Sequence, residues 1–152
     1  MRSVLTFLTF WILCYLPALS GIFFRPGEWY QQLNKPTWTP PNWLFGPVWT
    51  LLYFSIAVSG FMVWRKIEKE QRLKAYLPFA AHLILNAIWS YLFFGINEVG
   101  FAFAEICVLW ITILINIVMF AKIFRPAAFI LIPYALWVAF AAALNFAIVS
   151  MN

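Results

Sequence analysis

His82 and Asn86 stand four residues apart in an apolar run, so on a helix they share one face, which Trp89, Ser90 and Phe93 continue. Such a face should look inward, because an unpaired polar group facing lipid is expensive. A histidine there can ligate a haem iron. The commoner use of a buried imidazole is to donate a hydrogen bond to a neighbouring oxygen. Asn86 offers both donors and acceptors, and serves either as glue between helices or as the polar anchor of a bound molecule. Glu105 is the only carboxylate well inside an apolar run. It reads as a neutral, hydrogen-bonded structural group or as the coupling group of a proton-driven transporter, although no internal repeat of the kind that builds such transporters accompanies it. The sequence has no G-x-S-x-G elbow, H-E-x-x-H, P-loop or Cys/His cluster at metal spacing, so it offers a cavity rather than an evident catalytic apparatus.

The cavity is suggested by the stretch WYQQLNKPTWTPPNWLFGPVWTLLY, Trp29 to Tyr53, which gathers Trp29, Tyr30, Trp38, Trp43, Phe45, Trp49 and Tyr53 around Pro36, Pro40, Pro41 and Pro47. Tryptophans at span ends, such as Trp43 and Trp64, need only the aromatic belt of the membrane interface. The clustering of rings around prolines calls for more, since aromatic walls stack on planar molecules and attract cations. Near the other end, Trp137 stands one turn from Ala141, a large ring beside a small residue. That pairing leaves room for a flat guest, and core filling explains it equally well.

The elements that position these residues follow from composition. With 65% hydrophobic residues and 10% charged ones, the chain is a membrane protein rather than a soluble globule. Its apolar runs are each long enough to cross a hydrocarbon core of about 30 Å as a helix of roughly 20 residues. Continuous runs select helices over a barrel. The reading is a single all-α domain over residues 1–152, a bundle of five transmembrane helices at about 4–24, 43–64, 76–95, 101–121 and 127–149. The first run is taken as a retained helix rather than a signal peptide, because apolar character continues through Ile22, Phe23 and Phe24. The connection over residues 25–42 is long for a structureless loop, and its prolines restrict the backbone, so it should form a stiff lid. Ala135, Ala139, Ala143 and Ala147 recur every four residues and read as a seam for close helix packing.

Charge then sets orientation. Arg2, Arg65, Lys66, Lys69, Arg72, Lys74, Lys122 and Arg125 fall on one side of the five spans, and Arg25 and Lys35 on the other. The N-terminus is therefore expected to be cytoplasmic in a bacterial inner membrane, with the lid facing away. The net charge of +5 belongs to these connections and not to nucleic-acid binding. The segment Arg65 to Lys74 reads as a solvated, topology-setting connection in preference to a specific anionic-lipid site. Cys14 and Cys107 lie in apolar runs and read as free thiols.

The ordered combination W-Y, L-x-K-P-x-W-x-P-P, F-G-x-V-W and L-Y, followed by LNAIWSYLFFG and PYALWVAFAAALNF, resembles the translocator protein family, also called tryptophan-rich sensory proteins or peripheral-type benzodiazepine receptors. The resemblance covers essentially the whole chain. It implies a five-helix bundle, commonly a homodimer in the lipid bilayer. It also implies a pocket beneath the first loop for porphyrins such as protoporphyrin IX, haem-related tetrapyrroles and benzodiazepine-type apolar ligands. Porphyrin or haem would be a ligand there, with no cofactor or metal required. Carried over by motif, Trp29, Tyr30, Trp38 and Pro41 come from the loop, Phe45 and Trp49 from the second span, Asn86, Trp89 and Phe93 from the third, and Trp137 and Ala141 from the fifth. The resulting expectation is a receptor or sensor that stacks a tetrapyrrole between Trp29, Trp49 and Trp137 with Asn86 as anchor; the alternatives are a porphyrin or small-solute transporter, or light-dependent porphyrin degradation. Two departures matter. Leu144-Asn145-Phe146 has Phe where the cholesterol motif of eukaryotic members has Tyr, and no basic residue follows, which argues against cholesterol binding. Ala80, Ala81 and Ala87 form no unbroken small-residue seam on the third span, which weakens the dimer interface some relatives use.

Overall fold

The computed structural model describes residues 2–24 and 26–152. Arg25, which opens the lid segment and counts among its basic residues, lies outside the described residues, as does the side chain of Arg2. All regular structure described is helical, and five segments are long and apolar enough to cross a membrane.

Helix α1 (Arg2–Phe23) leads into the lid, which carries a short helix of its own, α2 (Glu28–Gln32). Helix α3 (Asn42–Trp64) starts directly after Pro41, whose extended backbone ends the lid. Pro47 sits in the first turns of α3, where a missing amide does least harm. A 3₁₀ turn (Lys69–Gln71) then opens α4 (Arg72–Ser90), so the third span begins a turn ahead of the expected Tyr76, in the charged connection itself.

Two irregularities were not visible in hydropathy. The third span ends in a π-helical turn, Tyr91–Gly95, closed by Ile96 N–H donating to Tyr91 O at 3.0 Å. It is followed by Asn97 at φ 61°, a left-handed position that asparagine tolerates well. After α5 (Val99–Ile123) the fifth span comes in two pieces, α6 (Arg125–Ile130) and α7 (Ile132–Met151), with the break at Leu131. Pro133 is the cause: it has no N–H to give the Phe129 carbonyl, and its ring crowds that oxygen.

The main core joins Phe10 and Cys14 of α1 to Ile56 and Ala57 of α3, Phe79 of α4, Ile113 of α5 and Val138 of α7. At Gly60 the helices approach so closely that an added Cβ would sit 2.8 Å from Phe79 Cζ and 2.9 Å from Phe10 Cδ1. A second cluster of Tyr30, Phe93, Ala102, Leu144 and Ile148 docks α2 onto the lid end of the bundle.

The alanine stripe of α7 is not a seam within this bundle: Ala135 is buried but Ala143 is exposed. A four-residue step overshoots the 3.6-residue turn by about 40°, so the stripe winds from the inside to the outside. The inward face of α7 is instead Tyr134, Val138, Ala141, Asn145 and Ile148.

Candidate functional site

A cavity of about 500 Å³ lies under the lid, walled by α1, α3, the end of α4 with its π turn, and α7. Its flattest wall belongs to α3. Trp49 and Tyr53, one turn apart, stack with ring centroids 5.5 Å apart and planes 27° from parallel, and Phe45 extends that face by another turn. On α4 and its π turn, Trp89 and Phe93 face the same space, their centroids 5.3 Å apart.

Three polar groups organise these rings. The Tyr53 hydroxyl donates to Asn86 Oδ1 at 2.6 Å in a buried bond between α3 and α4. Trp89 Nε1 donates to Asn145 Oδ1 at 3.1 Å, and Asn145 Nδ2 donates to the Val99 carbonyl at 2.9 Å, which ties α4, α5 and α7 together beside the cavity. Tyr15 donates to the Thr50 carbonyl at 2.7 Å and fixes α1 against α3. With its oxygen held by Tyr53, Asn86 borders a cavity that is otherwise mostly apolar.

The lid carries hydrogen bonds of its own and to the bundle. Lys35 folds back so that Nζ donates to the carbonyls of Tyr30 at 2.5 Å, Leu33 at 3.1 Å and Gln31 at 3.3 Å, capping α2. The same ammonium stands 4.7 Å from the Tyr30 ring. Burial pushes the Tyr30 phenol above its ordinary range. The lid is tied to the end of α7 by a reciprocal pair: Asn34 N–H donates to Asn152 Oδ1 at 2.9 Å, and Asn152 Nδ2 donates to the Asn34 carbonyl at 3.0 Å. Asn34 Nδ2 adds a bond to the Met151 carbonyl at 3.2 Å.

Of the residues singled out in the sequence, Tyr30, Phe45, Trp49, Asn86, Trp89, Phe93 and Ala141 border the cavity. Trp29, Trp38, Pro41 and Trp137 do not. Trp29 backs Phe93 edge-on, with centroids 6.0 Å apart. Trp38 is 49% exposed and leans on Phe140. Pro41 is an exposed N-cap. Trp137 lies behind Phe45, 5.9 Å away and edge-on, so Phe45 takes the place in the wall expected of it. The three-tryptophan sandwich is thereby reduced to one of its members, Trp49.

Residues that sequence reasoning missed include Tyr15, Ala18 and Gly21 of α1, Gly46 of α3 and Asn145 of α7, while Tyr53 stood in the aromatic stretch without being assigned to the site. Asn145 was findable as a polar residue inside a span, and Tyr53 as the ring one turn beyond Trp49. The α1 residues carry no such mark.

His82 is buried away from the cavity, between Phe79 at 5.2 Å and Tyr134 at 5.5 Å, with Asn116 alongside. It cannot reach a metal carried by a guest in the cavity. Glu105 also stands outside the cavity wall, its carboxylate oxygens shielded and without a hydrogen-bond partner among the described residues. No group of three or more His, Cys, Asp or Glu among the described residues is placed to hold a metal ion. Cys14 and Cys107 are free thiols.

Fold and site together define a small multi-pass membrane protein with five spans and an aromatic cavity roofed by its first connection. Residues 7–151 match the sequence pattern described as the TspO/MBR family. The chain is 36% identical to the tryptophan-rich sensory protein of Cereibacter sphaeroides over 96% of its own length and 90% of that protein. It is 42% identical to the tryptophan-rich protein TspO of Archaeoglobus fulgidus over 89% of each. With the human translocator protein it shares 32% identity over 88% of this chain and 82% of that one. The chain belongs to the TspO/MBR family, a membrane family with sensory and translocator members.

Proposed function

We propose that this protein is a membrane receptor or sensor for planar apolar ligands, tetrapyrroles such as protoporphyrin IX foremost and benzodiazepine-type molecules second. The observation that carries this reading is the stacked Trp49–Tyr53 wall facing Trp89 and Phe93 across a cavity of about 500 Å³, with Asn86 at its polar edge. That volume falls in the range of small-molecule sites, about 300–1,000 Å³, and a mostly apolar lining with few fixed polar groups is their usual chemistry. A macrocycle laid against Trp49 and Tyr53 gains ring stacking. Asn86 then supplies a polar contact at its rim.

The test is a titration of the purified protein with protoporphyrin IX, followed by quenching of tryptophan fluorescence. Trp49→Ala and Asn86→Ala should each weaken binding by about 2- to 12-fold, the scale of one lost aromatic contact or buried hydrogen bond. Trp137→Ala should weaken it less, because that ring acts through Phe45. Affinity unchanged in both Trp49→Ala and Asn86→Ala would remove the site. A transport reading with Glu105 as the proton-coupling group draws no support from the geometry, since that side chain stands outside the cavity wall.

A further inference from the structure

The end of the bundle opposite the lid is strongly basic. It carries Arg65, Lys66, Lys69, Arg72, Lys74, Lys122 and Arg125 against only Glu68 and Glu70. These cations are not equivalent. Arg72 lies 3.9 Å from the centroid of the Trp64 ring and Arg65 stands 5.9 Å from that of Phe61, so both are drawn onto the end of α3. Lys66 reaches away from that connection, to 5.7 Å from the ring of Phe124.

Phe124 is the single extended residue between α5 and α6, with φ −155° and ψ 96°. Lys122 in the last turn of α5 and Arg125 at the start of α6 flank it in the chain. A buried bond from Ser59 Oγ to the Ala127 carbonyl, 2.8 Å long, fastens α3 to α6 just inside this corner. The fold thus brings Lys66 of one connection to the ring that Lys122 and Arg125 of another flank in the chain, and all three cations are exposed. Below them, Phe129 of α6 and Ile132 and Leu136 of α7 are exposed apolar side chains, at 67%, 38% and 66%.

We propose that Lys66, Lys122 and Arg125 form a binding site for the phosphate headgroup of an anionic phospholipid whose acyl chain lies along Phe129, Ile132 and Leu136. The cations supply charge-assisted hydrogen bonds to phosphate oxygens at the membrane surface. The apolar strip beneath distinguishes a lipid from a free anion, which would have nothing to gain from it. A sequence reading sees Lys66 only as part of a topology-setting run; the fold brings it to the α5–α6 corner.

The experiment uses the full chain in phosphatidylcholine bilayers, comparing spin-labelled phosphatidylglycerol with spin-labelled phosphatidylcholine by the fraction of label immobilised at the protein. The wild type should prefer phosphatidylglycerol severalfold. A cation near the surface contributes about a fivefold preference, so Lys66→Gln alone should cut it measurably. The triple variant K66Q/K122Q/R125Q should abolish it. The triple R65Q/K69Q/K74Q removes the same charge from the same end and should keep most of it. Absence of preference in the wild type, or equal loss in the two triples, would overturn the site in favour of a diffuse positive field. Millimolar inorganic phosphate, compared with chloride at equal ionic strength, should leave the preference intact; if phosphate abolishes it, the pocket takes free anions and the lipid assignment falls. Because all the substituted side chains are exposed, folding is checked by helical circular dichroism, and K66R/K122R, which keeps the charge, should bind as the wild type does.

Discussion

Replacing Gly46 with leucine should push stability and ligand affinity in opposite directions. Gly46 lies in the first turns of α3 and borders the cavity. A Cβ built there meets nothing within 4 Å, and no glycine described here has a positive φ, so a leucine can be accommodated without backbone strain. Glycine inside a helix costs about 0.8–1.0 kcal/mol relative to alanine, and leucine is nearly as good a helix former. The ligand-free protein should therefore gain a little under about 1 kcal/mol, which raises the melting temperature by about 2–4 °C for a chain of this length. A guest in the same space meets the new side chain as overpacking, at a cost of about 1–3 kcal/mol, so the dissociation constant should rise by about 5- to 150-fold. Melting is followed by circular dichroism without ligand, and affinity by porphyrin quenching of tryptophan fluorescence. A lower melting temperature would refute the open space at Gly46. A raised melting temperature with unchanged affinity would show that the guest does not use this wall.

Gly60→Ala should do the opposite on stability: its Cβ would clash with Phe79 and Phe10, and a cost of about 1–3 kcal/mol exceeds the helix gain, so the melting temperature should fall. Asn152→Ala removes the side chain that exchanges bonds with Asn34; at about 0.5–1.5 kcal/mol per bond, amides of the lid should lose several-fold protection in hydrogen exchange while those of α5 keep theirs. Asn145→Leu leaves the Trp89 indole N–H and the Val99 carbonyl without their partner, which should cost about 1–3 kcal/mol and weaken porphyrin binding by freeing the Trp89 ring; unchanged melting would refute the tie. Tyr30 keeps its proton past the usual phenol range because burial disfavours the phenolate. Its contribution to lid docking is therefore complete below the unfolded value near 10 and is lost as pH rises through the raised one. The absorbance titration of wild type minus Tyr30→Phe should place its midpoint above 10, and a midpoint at or below 10 would mean a solvated phenol.

The five spans and the lid were legible because their causes are local. Twenty apolar residues have to span or be buried, and Pro36, Pro40 and Pro41 stiffen a loop whatever surrounds it. Asn86, Trp89 and Phe93 were legible as a unit because helical periodicity places them on one face. Trp137 shows where that reasoning stops. Its type and its small neighbour Ala141 suited a cavity wall, but a few tens of degrees of rotation about α7 decide whether Trp137 or Phe45 borders the space. Such rotation is set by packing against α3, which no pattern within α7 encodes. The contribution of α1 was hidden for a related reason: Ala18 and Gly21 matter through the room they leave, and room is a property of neighbours.

Sequence by itself determined that this chain crosses a membrane five times, that its first connection is aromatic and restricted by prolines, and that one face of the third span is polar enough to face inward, since each follows from side-chain transfer energies and backbone restrictions within a single segment. Only the tertiary structure decided which rings border the cavity, that Asn34 and Asn152 tie the lid to the far end of the chain, and that Lys66 reaches the ring of Phe124 between Lys122 and Arg125 in the chain. Those outcomes depend on the relative rotation and depth of helices distant in sequence, and these are set by the packing of the whole bundle.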